Sequence, residues 1–574
     1  MKPNQNVLPK ENIKALLRLN GRAGDILTGA AMSITGMNRI NRTFKEINGL
    51  MGFQFAEASL KSLGVTAIVN EDELGNIPKT GPFIICSNHP FGGIDGLMLM
   101  SIVGRIRPDV MFMVNHFLMQ IPNLNGILIP VNAFSSGKAE SISGVKSALE
   151  HLSKGGGLVM FPAGEVSSDR NAQRTVKDID WQRGSMKLIR KASVPVIPVY
   201  FEGSNSWLFH KLGAIHPILR TIRLPRELLN KKGCNIRISF GKSVNPVEFS
   251  SYHTPEELGA YLRNRSYALE GLLPASDCRT SEKLRQPIEA HIDKAVLKAE
   301  LDSIESSLIY REGSYSCYLN RFNEIPNIIR EIGVCREETF RNNGEGTGKA
   351  IDLDEYDRYY LHLHLWNEEN CELVGAYRVG LGDTIMRTRG IKGFYSDLFF
   401  HFKEGMSSML EESIELGRSF IVDKYQLVPN ALKMLLTNGV GRLGGLYPEM
   451  KYFFGPASIS SDIPPLYSSL IVEHLRRTRF ESALSNLVEA DIPFVPEFGN
   501  LDIDALRLER MSIDQFDKCL RSLSGGRYRV PTLIRAYIKY GCTFLGFNID
   551  PDFNYCIDAL LMVRIERNSE DEQS

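Results

Sequence analysis

The chain lacks a long apolar run, a net charge and paired cysteines, and each absence removes a class of function. A membrane-spanning helix needs roughly 18 or more consecutive apolar residues, and no window of this sequence approaches that. Any membrane contact is therefore expected to be peripheral. The opening stretch MKPNQNVLPKENIKALLRLNGRAGDI has neither the apolar core nor the small-residue cleavage site of a secretory leader, so none is expected. Lys+Arg and Asp+Glu both number 67, giving a formal net charge of zero. Nothing global attracts nucleic acid, which is not expected as a partner, and any pull toward phosphate or lipid must be local. The nine cysteines stand singly, with no CxxC pair and no histidine at metal-ligand spacing, which predicts reduced thiols in a cytoplasmic compartment and no metal. There is no internal repeat, and the one biased stretch is a short polar tail, residues 568–574.

What is present is an ordinary globular composition on a long chain. With 574 residues, 43% hydrophobic and 23% charged, the sequence exceeds one compact core and predicts two or more domains. From Pro82 to Val244 short apolar runs alternate with helical ones: PFIICSN, IDGLMLMSIVGRI, VMFMVN, GILIPV, AESISGVKSALEHLSKGG, GLVMFPAGE, WQRGSMKLIRKA, VPVIPVYFEG and NIRISFGKSV. That alternation predicts an α/β domain with a largely buried sheet. It is taken to span residues 1–275, with a helical segment over residues 1–65 that lies either across the sheet or on lipid. Residues 276–310 turn polar and helix-forming and are expected to connect the domains. A second α/β domain is expected over residues 311–567, with strands in YYLHLHLWN, CELVGAYRVGLG, SIELGRSFIV, EMKYFFGPASIS and CIDALLMVRIE.

The sharpest local feature is IICSNHPFGGIDGLM, Ile84 to Met98. His89 ends an apolar strand, Gly92 and Gly93 allow the backbone to fold back, and Asp95 opens the next helix. A histidine held by a carboxylate on one nitrogen can use the other as a general base toward a hydroxyl. The same residues are also what a capped turn needs, so the pattern alone leaves both readings open.

Downstream order favours the chemical one. LVMFPAGEVS places Gly164 and Glu165 directly after a strand, and Pro195 and Pro198 punctuate SVPVIPVYFEG. The His-Asp, GILIPV, FPAGE and VPVIPV blocks, in this order, resemble the glycerolipid (PlsC-like) acyltransferase family over residues 81–244. The resemblance implies that the sheet is mixed and flanked by helices, that His89 deprotonates an acceptor hydroxyl, which attacks an acyl thioester, and that Asp95 orients His89. The chain departs from the family twice. Five residues separate His89 from Asp95, one more than the commonest spacing, as in the branch resembling haemolysin-like and lyso-ornithine-lipid acyltransferases. Val166 stands where the third block carries an arginine, the side chain suited to a phosphate. A phosphate-free acceptor is expected, with Arg170 or Arg183 as substitute cations.

In the C-terminal half, Arg336, Asp354, Asp357, Arg378, Glu415 and Arg418 are expected to punctuate otherwise apolar strands, as cross-strand ion pairs on an exposed face or as a site. Glu415 and Arg418, three apart in an extended segment, are expected to face opposite sides. REETFR, DLDEYD, YRV and ELGR resemble the ornithine-lipid N-acyltransferase family, a GNAT-like relative of the autoinducer synthases. The resemblance makes Glu415 the candidate proton acceptor from an amine. It gives Arg336, Arg378 or Arg418 a substrate carboxylate or the donor's phosphopantetheine arm. No Gly-rich loop to cradle a pyrophosphate follows ELGRSFIV, which favours acyl carrier protein over coenzyme A as donor.

Both domains in one chain resemble the bifunctional ornithine-lipid synthases. Such an enzyme N-acylates an amino acid, ornithine or glycine, with a 3-hydroxyacyl group and then O-acylates that hydroxyl. The implied partners are acyl-carrier-protein or coenzyme A thioesters, the amino acid and lyso-aminolipid, and the cytoplasmic face of the inner membrane; no bound cofactor is expected. The alternative is a lysophospholipid acyltransferase with a non-catalytic second half.

Overall fold

The computed structural model describes residues 6–16, 20–131, 138–169, 176–215, 217–272, 286–428 and 430–565. The chain divides into two compact units. The first comprises Met1–Pro274 with Phe498–Arg507 and Arg521–Arg527, and the second comprises Ala275–Glu497, Leu508–Leu520 and Tyr528–Ser574. The return of late segments to the first unit has no signal in the sequence. It is held by the amide of Asn264, which bonds Asp502 O at 2.7 Å and Asp502 N at 2.8 Å, and by Arg507 on Glu257 at 2.6 Å.

The first unit is built on a seven-stranded sheet. Its strands are β1 (Thr66–Val69), β2 (Phe83–Ser87), β3 (Met111–Asn115), β4 (Leu128–Val131), β5 (Gly157–Met160), β6 (Val196–Phe201) and β7 (Asn235–Phe240), in the order β1-β7-β6-β2-β5-β3-β4. Pairing is parallel except between β6 and β7. Every residue of β2 is buried, and the two-residue period of a strand divides them cleanly. Phe83 and Ile85 enter one core, whereas Ile84 and Cys86 enter the core on the opposite face. A strand covered on both sides must read as a continuous apolar run, which is why the alternation in the sequence located these strands. The helices Gly21–Thr35, Met37–Thr43 and Gly52–Leu63 fill the N-terminal segment. No described helix is long and apolar enough to cross a membrane.

The second unit carries an eight-stranded sheet and a two-stranded one. The strands are β8 (Leu308–Glu312), β9 (Tyr315–Arg321), β10 (Leu361–Asn367), β11 (Glu372–Leu381), β12 (Phe400–Phe402), β13 (Ser413–Ile421), β14 (Tyr452–Ile459), β15 (Val488–Ala490), β16 (Thr543–Asp550) and β17 (Cys556–Arg564). The large sheet runs β16-β17-β14-β13-β11-β10-β9-β8, and β12 pairs with β15. Only β13 and β14 pair in parallel within the large sheet, over Ser413–Glu415 against Tyr452–Phe454. Gly455 follows at φ +154°, where a Cβ would lie 2.0 Å from Leu416 O, and beyond it the two strands no longer pair.

The helix Lys294–Ser303, expected in the interdomain connection, packs into the second unit. Leu297 and Leu301, one helical turn apart, are buried in its core beside Ile332 and Trp366. Residues 273–285 lie outside the described residues. Of the three tryptophans, Trp366 belongs to the second unit. Ile332→Ala is expected to destabilise that unit by about 2–5 kcal/mol, shifting the urea transition followed by Trp366 fluorescence.

Candidate functional site

In the first unit, the strand-to-helix turn after β2 is drawn together by one buried carboxylate. Asn88 ties the end of β2 to β6 by bonding Phe201 O at 2.9 Å and Phe201 N at 2.8 Å. Gly92 adopts φ +88°, and the helix Gly93–Ile106 then begins. Asp95, with no exposed surface, turns back to accept the N–H groups of Phe91 and Gly92, each at 3.0 Å. The same oxygen, Oδ2, lies 2.8 Å from His89 Nδ1. The His89 ring stacks on Phe161 at 4.0 Å between centroids. The capped turn and the His-Asp pair are thus one arrangement: the carboxylate that caps the helix also holds the imidazole.

Asp178, which the sequence reading passed over, supports the histidine from behind. Its Oδ1 accepts the backbone N–H of His89 at 3.2 Å and the hydroxyl of Ser167 at 2.5 Å, and Trp181 Nε1 donates to Oδ2 at 3.1 Å. Burial raises its carboxyl above the usual range. Within KDIDWQRG it is one acid among several, and only the fold brings it under His89.

Gly164 sits at φ +71°, where a Cβ would come within 2.1 Å of Gln182 Nε2, so the turn requires glycine. Glu165 pairs at 2.8 Å with Arg220 from the helix Pro217–Asn230. Val166, in the position of the family's arginine, is buried against the same turn, 3.3 Å from where a Gly92 Cβ would lie. The expected substitute Arg183 is instead exposed and ion-paired with Glu256 at 2.6 Å, because it opens a helix on the solvent side. Arg170 lies outside the described residues. The cation held beside Glu165 is Arg220, which no sequence motif marked.

In the second unit the charged residues are buried, not displayed on an exposed sheet face. Two expectations are corrected. Arg336 belongs to the helix Pro326–Asn342, Asp354 to a loop and Asp357 to a short helical turn, leaving Arg378, Glu415 and Arg418 on strands. Glu415 and Arg418 do not diverge. Tyr377 lies opposite a bulge in β13, since Arg378 pairs with Gly417 and Ala376 with Phe420, and Arg418 takes φ +49°. The extra residue resets the alternation, so both converge on Tyr395: Glu415 accepts its N–H at 3.1 Å and Arg418 lies 5.2 Å from its ring centroid.

Three aspartates neutralise three arginines. Arg336 grips both oxygens of Asp357 at 3.2 and 3.0 Å and reaches Asp352 at 3.0 Å. Arg378 Nη1 bonds Asp354 at 2.6 Å, while its ring contacts with Tyr356, Tyr360 and Tyr395 run from 4.3 to 5.5 Å. Burial alone would raise Asp357, but Arg336 and Arg378 outweigh it and hold the carboxyl below its usual range. Arg418 is the loosest of the three, 3.5 Å from Asp352 and 3.8 Å from Asp354, with 11% of its side chain exposed.

Glu415 has a structural task. Its four acceptor positions meet the N–H of Tyr395, the N–H of Ser396 at 2.7 Å, the Ser396 hydroxyl at 2.6 Å and the hydroxyl of Tyr360. Burial raises its carboxyl, and these donors offset part of that. The role of proton acceptor from an amine does not fit a carboxylate with no lone pair to spare. A metal has no better claim: His291, Glu331 and Cys335 bring ligand atoms within 4.8 Å of one another, but Glu331 already takes His291 Nδ1 at 2.8 Å and Ile292 N at 2.9 Å. Glu415→Gln is expected to cost the second unit about 1–3 kcal/mol, because an amide nitrogen cannot accept from N–H groups. Unchanged stability in denaturant titration would return Glu415 to the role of a free base.

Two regions of the chain match known families. Residues 18–276 match the family model described as Acyltransferase, and residues 335–436 match the Acetyltransferase (GNAT) domain. A glycine N(alpha)-acyltransferase of Bacteroides thetaiotaomicron is 28% identical over 49% of this chain and 87% of its own length. A lyso-glycine lipid O-acyltransferase of the same organism is 27% identical over 41% of this chain and 87% of its own length. The 1-acyl-sn-glycerophosphate acyltransferase PlsC of Thermotoga maritima aligns at TM-score 0.26 and 18% identity, over 44% of this chain and 91% of that one. The α/β expectation holds for both regions, and the chain is an acyltransferase, with an acyltransferase domain toward its N-terminus and a GNAT domain toward its C-terminus.

Proposed function

We propose that this chain performs two successive acyl transfers to make an acyloxyacyl aminolipid. The GNAT domain joins a 3-hydroxyacyl group to the amine of an amino acid, and the PlsC-like domain esterifies the hydroxyl so delivered. The observation that carries this reading is that one chain matches nearly the whole of two kinds of relative, one named for N-acylation of glycine and one for O-acylation of lyso-glycine lipid. Glycine is therefore the first amino acid to test, with ornithine as the comparison.

The geometry supports each step. With Nδ1 turned to Asp95, His89 has Nε2 left to take the proton of the lipid hydroxyl, and Asp95 stabilises the imidazolium that forms. The hydroxyl oxygen forms the ester bond, the thioester C–S bond breaks, and His89 returns the proton to the leaving thiolate. The apolar Val166 beside the turn suits an acceptor without a phosphate. In the GNAT domain β13 and β14 no longer pair beyond Glu415, which suits a donor whose pantetheine amides bond to strand backbone there; acyl carrier protein is the proposed donor. Arg418, the least committed arginine, is the one to hold the amino-acid carboxylate.

The substrate is lipid, and the surface offers a place for it to arrive. On the helix Gly21–Thr35, Ile26, Leu27 and Ile34 are 73%, 57% and 67% exposed, spaced to share one face. Such a face suits peripheral binding to the cytoplasmic leaflet.

Two outcomes are expected. His89→Ala should lower O-acylation at least ~100-fold while leaving N-acylation intact, so that a mono-acylated lyso-lipid accumulates in lipid extracts; full diacyl product would refute the assignment. The double change Ile26→Asp and Ile34→Asp should weaken cosedimentation with vesicles containing anionic lipid, with O-acylation of detergent-dispersed substrate unchanged.

A further inference from the structure

With Glu415 fully engaged, the N-acylation proposed above lacks a proton acceptor. An amino acid near neutral pH carries an ammonium, which must lose a proton before its nitrogen can attack. The second unit holds a buried carboxylate oxygen with nothing bonded to it. Asp558 of β17 is paired directly with Ser458 of β14 and Asn548 of β16, so the three side chains rise from one face of the sheet. Asp558 is 7% exposed and its Oδ2 makes no hydrogen bond. Its other oxygen has the Cys556 thiol at 3.9 Å. The neighbouring Asn548 gives one amide N–H to Ile549 O at 3.1 Å and accepts Ile492 N at 2.7 Å; its remaining donor favours the Asp558 carboxylate in part, while Oδ2 stays without a partner.

The surroundings deepen the imbalance. Glu345, which follows the helix Pro326–Asn342, is buried and accepts the Ser458 hydroxyl at 2.9 Å. Asp550 at the end of β16 is buried and accepts the N–H groups of Asp552 and Phe553 at 2.8 and 3.1 Å. The cation acting on all three carboxyls is Arg418 of β13, and Arg418 is already shared between Asp352 and Asp354. A buried carboxylate without a partner is costly, and a cation arriving from outside would relieve it. Arg418 lies 5.2 Å from the centre of the Tyr395 ring, and Asp558 acts on the same tyrosine, so an anion-holding and a cation-holding group share one aromatic neighbour.

We propose that Asp558 is the catalytic proton acceptor of the GNAT domain, its free Oδ2 receiving the substrate's ammonium while Arg418 holds the substrate's carboxylate. This rests on the N-acylation reading. Asp558 takes one proton from the ammonium. The freed lone pair forms the C–N bond at the thioester carbonyl, the C–S bond breaks, and the second proton lost from nitrogen goes to the leaving thiolate; Asp558 returns its proton to water. Burial first, then the Asp550 and Glu345 carboxyls, push Asp558 well above the usual carboxylate range, and burial pushes Glu345 up to about 7. An acceptor so raised is a stronger base once ionised. Its ionisation is lost as pH falls, so N-acylation should fall with it.

The test uses the full chain, a 3-hydroxyacyl carrier-protein thioester and radiolabelled glycine. Asp558→Asn should lower N-acylation about 100-fold near pH 7. The gap should narrow as pH approaches the pKa of the amine itself, where the substrate no longer needs an acceptor, and Asp558→Glu should restore part of the rate. The urea transition followed by Trp366 fluorescence reports that the second unit of the variant is folded. Wild-type rates in Asp558→Asn, or a loss equal at every pH with no rescue by glutamate, would overturn the assignment while leaving N-acylation standing. If the unaltered chain N-acylates neither glycine nor ornithine, the reading beneath it fails.

Discussion

A carboxylate taken out of water must be surrounded by donors or opposite charge, and this requirement shapes both units. Desolvation costs an ion several kcal/mol even after relaxation, so a chain that buries acids has to build their shells. In the first unit Asp95 collects two backbone N–H groups and the ring of His89, and Asp178 collects a backbone N–H, a hydroxyl and an indole. Those shells are the turn. Without the acids, the strand end, the glycines and the helix start would have no reason to meet at His89.

In the second unit the same requirement separates roles that similar residues could share. Arg336 and Asp357 are matched edge to edge and fully enclosed, so they hold the long helix to a short helical turn. Glu415 is saturated by four donors and fixes Tyr395 and Ser396. Arg378, Arg418 and Asp558 are left with capacity unused, Arg418 with the longest ion-pair distances of the arginines. Groups whose valences are filled stabilise the fold, and groups left unfilled are available to a substrate; the distinction lies in the shell, not in the residue type.

The bulge in β13 shows how little backbone is needed to change such a role. One extra residue, with Arg418 at φ +49°, turns an arginine that strict alternation would send to the far face toward Tyr395. Beside it, β13 and β14 stop pairing after Glu415 and Phe454.

Read alone, the sequence determined the α/β class, the positions of most strands, the His89–Asp95 pair and the two acyltransferase regions. Parallel strands buried on both faces must be continuous apolar runs, and a His-Asp turn is confined to a few neighbouring residues. What only tertiary structure decided is everything set by distant partners. Arg336 lies on a helix, Arg220 rather than Arg183 meets Glu165, and Asp178 supports His89 from nearly ninety residues away. Segments near residue 500 return to the first unit. Local spacing fixes which side of an element a residue occupies, but whether a buried charge is filled or free depends on what the rest of the chain brings to it.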